Sequence, residues 1–319
     1  MTALYLTVDV EVWCEDWDRL DEQFPEAFRR YVYGPTPQGD FGLPYQLALL
    51  KQHGLRACFF VEPLFSLRFG KQWLREIVSL ILEDGQEVQL HLHPEWVDEI
   101  DPPPVPIDAG KRPLMRQYSL SDQTRLIALG KHLLEEAGVE RVSAFRAGSF
   151  GFNSDTLIAL RRNGITIDAS YNATMYGPDS GVGSGGFGAV PFDVDGVLEV
   201  PMSVYRDGIG GRRHVQLGAS TWPELERLLW QAAEAEAGAL TILTHNFELL
   251  NQARNAPDPV VIKRMVRLCE FLAAHRDRFA TPLLAHASLE QWGAESSLAV
   301  SPWMGLRRAA EQFSRRRYG

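Results

Sequence analysis

Along the chain, short runs of β-branched and aromatic residues alternate with longer stretches whose apolar positions recur at helical spacing. ALYLTVDVE (3–11) reads as a strand, and LPYQLALLKQHG (43–54) as a helix closed by Gly54. RACFFVEP (56–63), KQWLREIVSLILEDG (71–85) and EVQLHLH (87–93) continue as strand, helix and strand. SLSDQTRLIALGKHLLEEAG (119–138) predicts a helix with Ser121 as N-cap and Gly138 as stop. RVSAFRAGSF (141–150), NSDTLIALRRNG (153–164) and ITIDASYN (165–172) repeat the order. GVLEVPMSVY (196–205) is strand-like and precedes a helix over about 222–237. ALTILTHNF (239–247) is a strand, DPVVIKRMVRLCEFLAAHRD (258–277) a helix, and FATPLLAHASLE (279–290) adds a last strand.

Some seven strand-then-helix units without a break in composition predict the α/β class and one barrel-like domain over residues 1–295. Residues 296–319 then form a basic C-terminal helical tail. No dinucleotide fingerprint or Walker loop points to a nucleotide-binding sheet. The glycine-rich GPDSGVGSGGFGAVP (177–191) reads as a mobile surface loop. The proline-rich DEIDPPPVPIDAG (98–110) shapes the rim of a cleft or simply connects.

Composition narrows the function. Of 319 residues 45 % are hydrophobic and 23 % charged, ordinary for a soluble protein with a real core. A net charge of −9 argues against nucleic acid as a partner, because phosphate binding needs a basic face. The one basic concentration is Arg307, Arg308, Arg315, Arg316 and Arg317. These suit a solvated helix end, and with Trp303, Met304 and Leu306 beside them they also suit a membrane surface or a partner protein. Cys14, Cys58 and Cys269 are scattered and odd in number, which points to a reducing compartment. The N-terminal run has no basic region and is interrupted by Asp9 and Glu11, so it reads as a strand and not a signal peptide. No run approaches the roughly 18 apolar residues of a membrane span. A cytoplasmic location is expected.

In a barrel of parallel strands, chemistry gathers where the strands end. Here those ends carry Asp9 and Glu11, then His91 and His93, then Arg146, then His245. Residues i and i+2 of a strand share a face, so Asp9 pairs with Glu11 and His91 with His93. An acid with two histidines is a ligand set for zinc or another divalent transition metal. Alone, H-x-H fits a rim or core pair and D-x-E fits a helix cap. Their coincidence at four strand ends favours the metal.

The segments LTVDVE (6–11), QLHLHPEW (89–96), FRAGSFG (145–151), LEVPMS (198–203) and ILTHNFELL (242–250) stand in the order of a known family. The chain resembles, over roughly residues 3–290, the polysaccharide deacetylase family, also called the NodB-homology or carbohydrate esterase family 4 group. D-x-E and HLHPEW are similar to the branch found in surface-polysaccharide and O-antigen gene clusters. The resemblance implies a distorted (β/α)7-type barrel. It implies a metal-dependent hydrolase that removes an N-acyl group, chiefly N-acetyl, from an amino sugar of a polysaccharide or its precursor. It makes Asp9 the general base and Glu11 a metal ligand. Arg146 keeps the base ionised and oriented, the backbone N–H near Ser149 stabilises the oxyanion, and His245 is the general acid. His91 and His93 complete the ligand set, with zinc the leading metal.

The second motif departs from the family. Its histidines usually stand four residues apart, but the residue four before His93 is Gln89. His91 therefore takes that role, with Glu95 as reserve ligand. Two rivals follow: another metal-dependent amidase or deformylase on the same barrel, and a non-catalytic glycan-binding pseudo-deacetylase. Among other residues, Asp168 caps a loop, touches substrate or orients His245, and Asp193 and Asp195 form a turn. Trp13, Trp17 and Trp96 stack on sugar or pack the barrel mouth. His53, His132 and His275 fall in helical patterns as surface or core residues, while His214 and His286 have no assigned role.

Overall fold

The computed structural model describes residues 1–107, 110–183, 190–235, 239–289 and 297–318, the side chains of 316–318 excepted. The chain opens with β1 (Thr2–Val10), α1 (Leu20–Phe28), α2 (Leu43–Gln52), β2 (Cys58–Val61) and α3 (Lys71–Glu83). Next come β3 (Glu87–Leu92), α4 (Leu120–Glu136), β4 (Ala144–Ala147), α5 (Ser154–Arg162) and β5 (Ile167–Asp168). β6 (Val197–Glu199), α6 (Trp222–Glu234), β7 (Ala239–His245), α7 (Pro259–Ala274), β8 (Phe279–Ala280) and α8 (Pro302–Tyr318) complete it. These strands pair in parallel and alternate with helices, the expected α/β class wired as a distorted (β/α)7-type barrel.

By its contacts the chain divides into two compact units. The first comprises Met1–Ala57, Ser203–Pro282 and Gln291–Gly319. In it β1 pairs with β7 from Ala3↔Ala239 to Asp9↔His245, and with β8 at Thr2↔Phe279. Every residue of β1 after Ala3 is buried, as suits a parallel strand covered on both faces. Helix α1 was not legible in the sequence pattern because Pro25 lies inside it, yet Leu20, Phe24, Ala27 and Phe28 give it a buried stripe. It runs into a π turn closed by Gly34 at φ 60°, where a Cβ would stand 2.9 Å from Gly42 N.

The tail is helical, but it does not present its arginines as expected. Arg308 is buried, binding Glu224 and, at 3.2 Å, Asp207. Arg315 binds Asp258 at 2.8 Å and the Gly218 carbonyl at 2.7 Å. These two cations are consumed inside the unit, which overturns a membrane or partner contact through them. The reason is the three acids, Asp207, Glu224 and Asp258, that sequence spacing could not place beneath α8.

The second unit comprises Cys58–Met202 and Leu283–Glu290. Its parallel strands run in the order β2-β3-β4-β5-β6, and Phe192–Val194 adds an antiparallel edge on β6. His91 stands opposite Arg146, and Asp168 opposite Glu199. Three local expectations are corrected here. The N-cap of α4 is Ser119, whose hydroxyl accepts from Asp122 N at 3.2 Å, so Ser121 lies inside the helix. The strand expected over 196–205 is β6 and a separate strand, Val204–Arg206, with Pro201 between them. The last strand is only Phe279–Ala280; a turn at Leu284–His286 follows, its Leu284 and Ala285 N–H groups held by Glu87 at 2.6 and 2.9 Å.

Gly138, at φ 116°, does end α4, and Asp193 accepts from Gly196 N at 3.1 Å in the expected turn. The core of the glycine-rich stretch, 184–189, and residues 108–109 of the proline-rich one lie outside the described residues. Among the described residues, no helix is long and apolar enough to cross a membrane.

Candidate active site

In the first unit, β1 and β7 end side by side, which sets Asp9 against His245 in register. Asp9, Glu11 and His245 each offer an oxygen or nitrogen atom, and these atoms all lie within 4.8 Å of one another. Asp9 and Glu11 are buried and His245 half-buried. Asn246, fully buried, locks the strand ends: its Oδ1 accepts from Glu11 N at 3.1 Å, and its Nδ2 donates to Glu11 O at 3.1 Å and Tyr31 O at 2.8 Å. The Trp13 indole donates to Glu11 Oε2 at 2.7 Å, fixing that carboxylate.

Glu248 lies 3.7 Å from His245 Nδ1 and accepts from His245 N at 3.1 Å. Burial works against a charged imidazole, but Glu248, then Glu11 and Asp9, outweigh it and push His245 up to about 9. His245 is thus held as an acid at neutral pH. Neither Asn246 nor Glu248 stood out in the sequence; the signal was their position one and three residues after His245 in THNFE.

In the second unit, His91 and His93 are buried with ring centroids 4.8 Å apart and planes at 82°. His91 Nδ1 donates to the Arg146 carbonyl at 2.8 Å. His93 Nδ1 lies 3.3 Å from Glu95 Oε2. Partners of this kind fix the tautomer and orientation of an imidazole ring. Glu95 therefore engages His93 itself. Gln89 is taken up by the neighbouring strand, its Oε1 accepting from Ser143 N at 2.9 Å and Ala144 N at 2.8 Å.

Gly148 lets the ring sit where it does, since a Cβ there would lie 2.6 Å from His93 Nδ1. We expect Gly148→Ala to displace His93 and destabilise the protein by about 1–3 kcal/mol. Denaturant unfolding and the metal content of the variant check this; an unchanged midpoint with full metal content would refute it. Ser149 is exposed, and it and Phe150 both have positive φ, 52° and 57°. Two consecutive left-handed non-glycine residues mark the AGSF turn as a strained segment of the kind found at functional sites.

Arg146 has no exposed surface. Its Nε donates to Ala169 O at 3.2 Å, and its guanidinium lies 4.3 Å from the Phe60 ring centroid. Asp168 does not face solvent. It is fully buried, accepts from Ser170 Oγ at 2.6 Å, and pairs with Glu199, also fully buried, which accepts from Tyr171 N at 2.9 Å. The other oxygen of each acid, Asp168 Oδ2 and Glu199 Oε2, finds no hydrogen-bond donor among the described residues. Burial raises both acids, Asp168 to about 6 and Glu199 well above its ordinary value, with Asp168 raising Glu199 further. The pair keeps a proton.

An acid whose pKa is raised on folding favours the native state while protonated. Its contribution is present below the unfolded carboxylate pKa and is lost as pH rises through about 6 and beyond. Glu199→Gln is thus expected to flatten the fall in melting temperature between pH 5 and 9. Identical wild-type and variant profiles would contradict a shared proton.

Trp96 is buried against Phe65 and Phe69 and packs the interior, so it does not stack on sugar. Trp13 and Trp17 are half-buried in an edge-on pair. Among the remaining histidines, His132 is exposed and His53 and His275 are half-buried.

No protein-family model matches the sequence, and no curated protein does. Solved structures match. One is a protein of Mycobacterium smegmatis assigned as a polysaccharide deacetylase, at TM-score 0.55 and 16 % identity, covering 98 % of this chain and 91 % of that one. Others are a family 4 carbohydrate esterase from Streptomyces lividans in complex with acetate and the peptidoglycan deacetylase PdaC from Bacillus subtilis. The first gives TM-score 0.45 and 13 % identity over 93 % and 97 % of the two chains, the second 0.42 and 14 % over 100 % and 98 %. The likeness to the mycobacterial protein establishes a shared fold, and at that level the resemblance to polysaccharide deacetylases holds.

Proposed function

We propose that the chain is a metal-dependent hydrolase that removes an N-acyl group, chiefly N-acetyl, from an amino sugar of a polysaccharide or its precursor. The observation that carries this reading is the grouping of Asp9, Glu11 and His245 at adjoining strand ends, on a fold shared with a polysaccharide deacetylase. The residues fit a divalent transition metal, with zinc preferred. Glu11 supplies a carboxylate, and the buried rings of His91 and His93, oriented through their Nδ1 atoms, supply the nitrogens. Bound there, the ion supplies Lewis-acid polarisation and acidifies water.

The chain's own residues do the rest. Asp9 accepts a proton from the attacking water at its carboxylate, and Arg146 is its positioning residue. The backbone N–H at Ser149 donates to the developing oxyanion. His245, held protonated by Glu248, gives its proton to the departing nitrogen as the C–N bond breaks. The products are a carboxylate, acetate in the main case, and a free amine. The surface-polysaccharide branch is our reading of D-x-E with HLHPEW, and a cytoplasmic location that of three buried cysteines outside any disulfide.

A panel of N-acetyl and N-formyl amino sugars incubated with zinc-reconstituted protein tests the reading. Acetate release is expected. Formate release alone would reassign the enzyme as a deformylase, and no release with zinc, cobalt or manganese would refute hydrolysis.

A further inference from the structure

Beside His245, wholly within the first unit, lies a cleft of about 480 Å³ lined by Arg213, Gln216, Phe247, Glu248, Arg254 and Arg315, among others. Its charges divide into two kinds. Glu248 is already committed, to His245, to Gln216 Nε2 at 2.7 Å and to Gly218 N at 3.1 Å. Arg315 is committed to Asp258 and Gly218 O. Arg213 and Arg254 are not: the Nε of each is buried with no hydrogen-bond partner among the described residues.

Arg254 is also held in place. Its guanidinium lies 4.5 Å from the Tyr31 ring centroid and 4.8 Å from that of Phe247, and its backbone takes φ 54°. Asn251 fixes that loop by accepting from Asn255 N at 3.1 Å and Ala256 N at 3.3 Å. A chain of net charge −9 thus lines one cleft with two guanidinium groups whose Nε atoms are buried without a hydrogen-bond partner among the described residues. Guanidinium is the side-chain group best matched to phosphate and carboxylate oxygens.

We infer that this cleft binds an oxyanionic substituent, phosphoryl or carboxylate, carried by the amino-sugar part of the substrate. Placement on the sugar follows from chemistry. Phe247, whose ring lies 5.3 Å from that of His245, and Glu248 join the cleft to the residue that protonates the departing nitrogen, so the cleft serves the leaving-group side. This inference rests on the hydrolase reading above for which side of the amide it serves. The cleft's preference for oxyanions stands without that reading.

Reaction products separate binding from turnover. Calorimetric titration of zinc-reconstituted protein would use glucosamine, glucosamine 1-phosphate, glucosamine 6-phosphate and 2-amino-2-deoxyglucuronate. At least one charged amine is expected to bind about tenfold or more tightly than glucosamine, as for hydrogen bonds to charged groups, and to weaken with salt. Which one does so identifies phosphate or carboxylate as the source. Arg213→Gln and Arg254→Gln should each remove about tenfold of that affinity, and Arg254→Lys should restore part of it. If glucosamine binds as tightly as its charged counterparts, or the glutamine variants bind them like the wild type, the inference falls. Wild type that releases acetate with equal KM from neutral and charged substrates would overturn the inference and leave the hydrolase reading standing. Tight oxyanion binding without any hydrolysis would sink that reading instead. Should the glutamine variants fail to fold, the salt series on wild type and the lysine variant still decide.

Discussion

Asp9→Asn is expected to lower kcat by about 10²–10⁴-fold, the usual worth of a positioned general base. Asparagine keeps the shape of aspartate but cannot take a proton. Asp9 is buried at the end of β1, paired in register with His245, so water cannot simply replace it as a base. The variant should retain its metal, because Glu11, His91 and His93 are untouched, and should fold. Acetate release measured alongside metal content makes the result specific. A metal-loaded variant with wild-type turnover would remove Asp9 from the mechanism.

Arg308→Ala is expected to cost about 3–5 kcal/mol of stability, the penalty for breaking a buried ion pair by removing one partner. Arg308 is 2 % exposed and faces two acids, Asp207 and Glu224. Glu224 has a second duty, accepting from Thr221 N at 2.8 Å and Thr221 Oγ1 at 2.9 Å at the start of α6. Alanine would leave both carboxylates buried beside each other with no cation. The neighbouring Arg307 is exposed, and Arg307→Ala should change stability by no more than about 0.5 kcal/mol. Urea unfolding of the two variants is the comparison. Equal midpoints would mean that α8 contributes nothing through Arg308.

These two positions show what the sequence made legible. Asp9 stands at the end of a near-continuous apolar run two residues from Glu11, and period-two geometry alone puts the pair on one face. His91 and His93 are legible for the same reason, as are the strand and helix order and the class of fold. Arg308 was legible only as one of five arginines. Its partners lie 84 and 101 residues away in sequence, and no local pattern reports such a pairing. The role of Asp168 stayed open for the same reason: no local pattern reports that Glu199 stands opposite it in register. Ser121 lost the N-cap to Ser119 because two serines two residues apart satisfy the same composition rule, and only backbone geometry chooses between them. Arg213 and Arg254 carried no motif. They became visible when the fold lined one cleft with both.

The most direct test of the account is the zinc content and acetate release of His91→Ala beside wild type, after reconstitution and removal of loose metal. Wild type should hold about one ion per chain. His91→Ala should lose most of that metal, and its acetate release with it, while keeping a folded far-ultraviolet spectrum. A His91→Ala protein with full metal content and full activity would contradict the central claim that His91 and His93 are the nitrogen ligands of a catalytic metal.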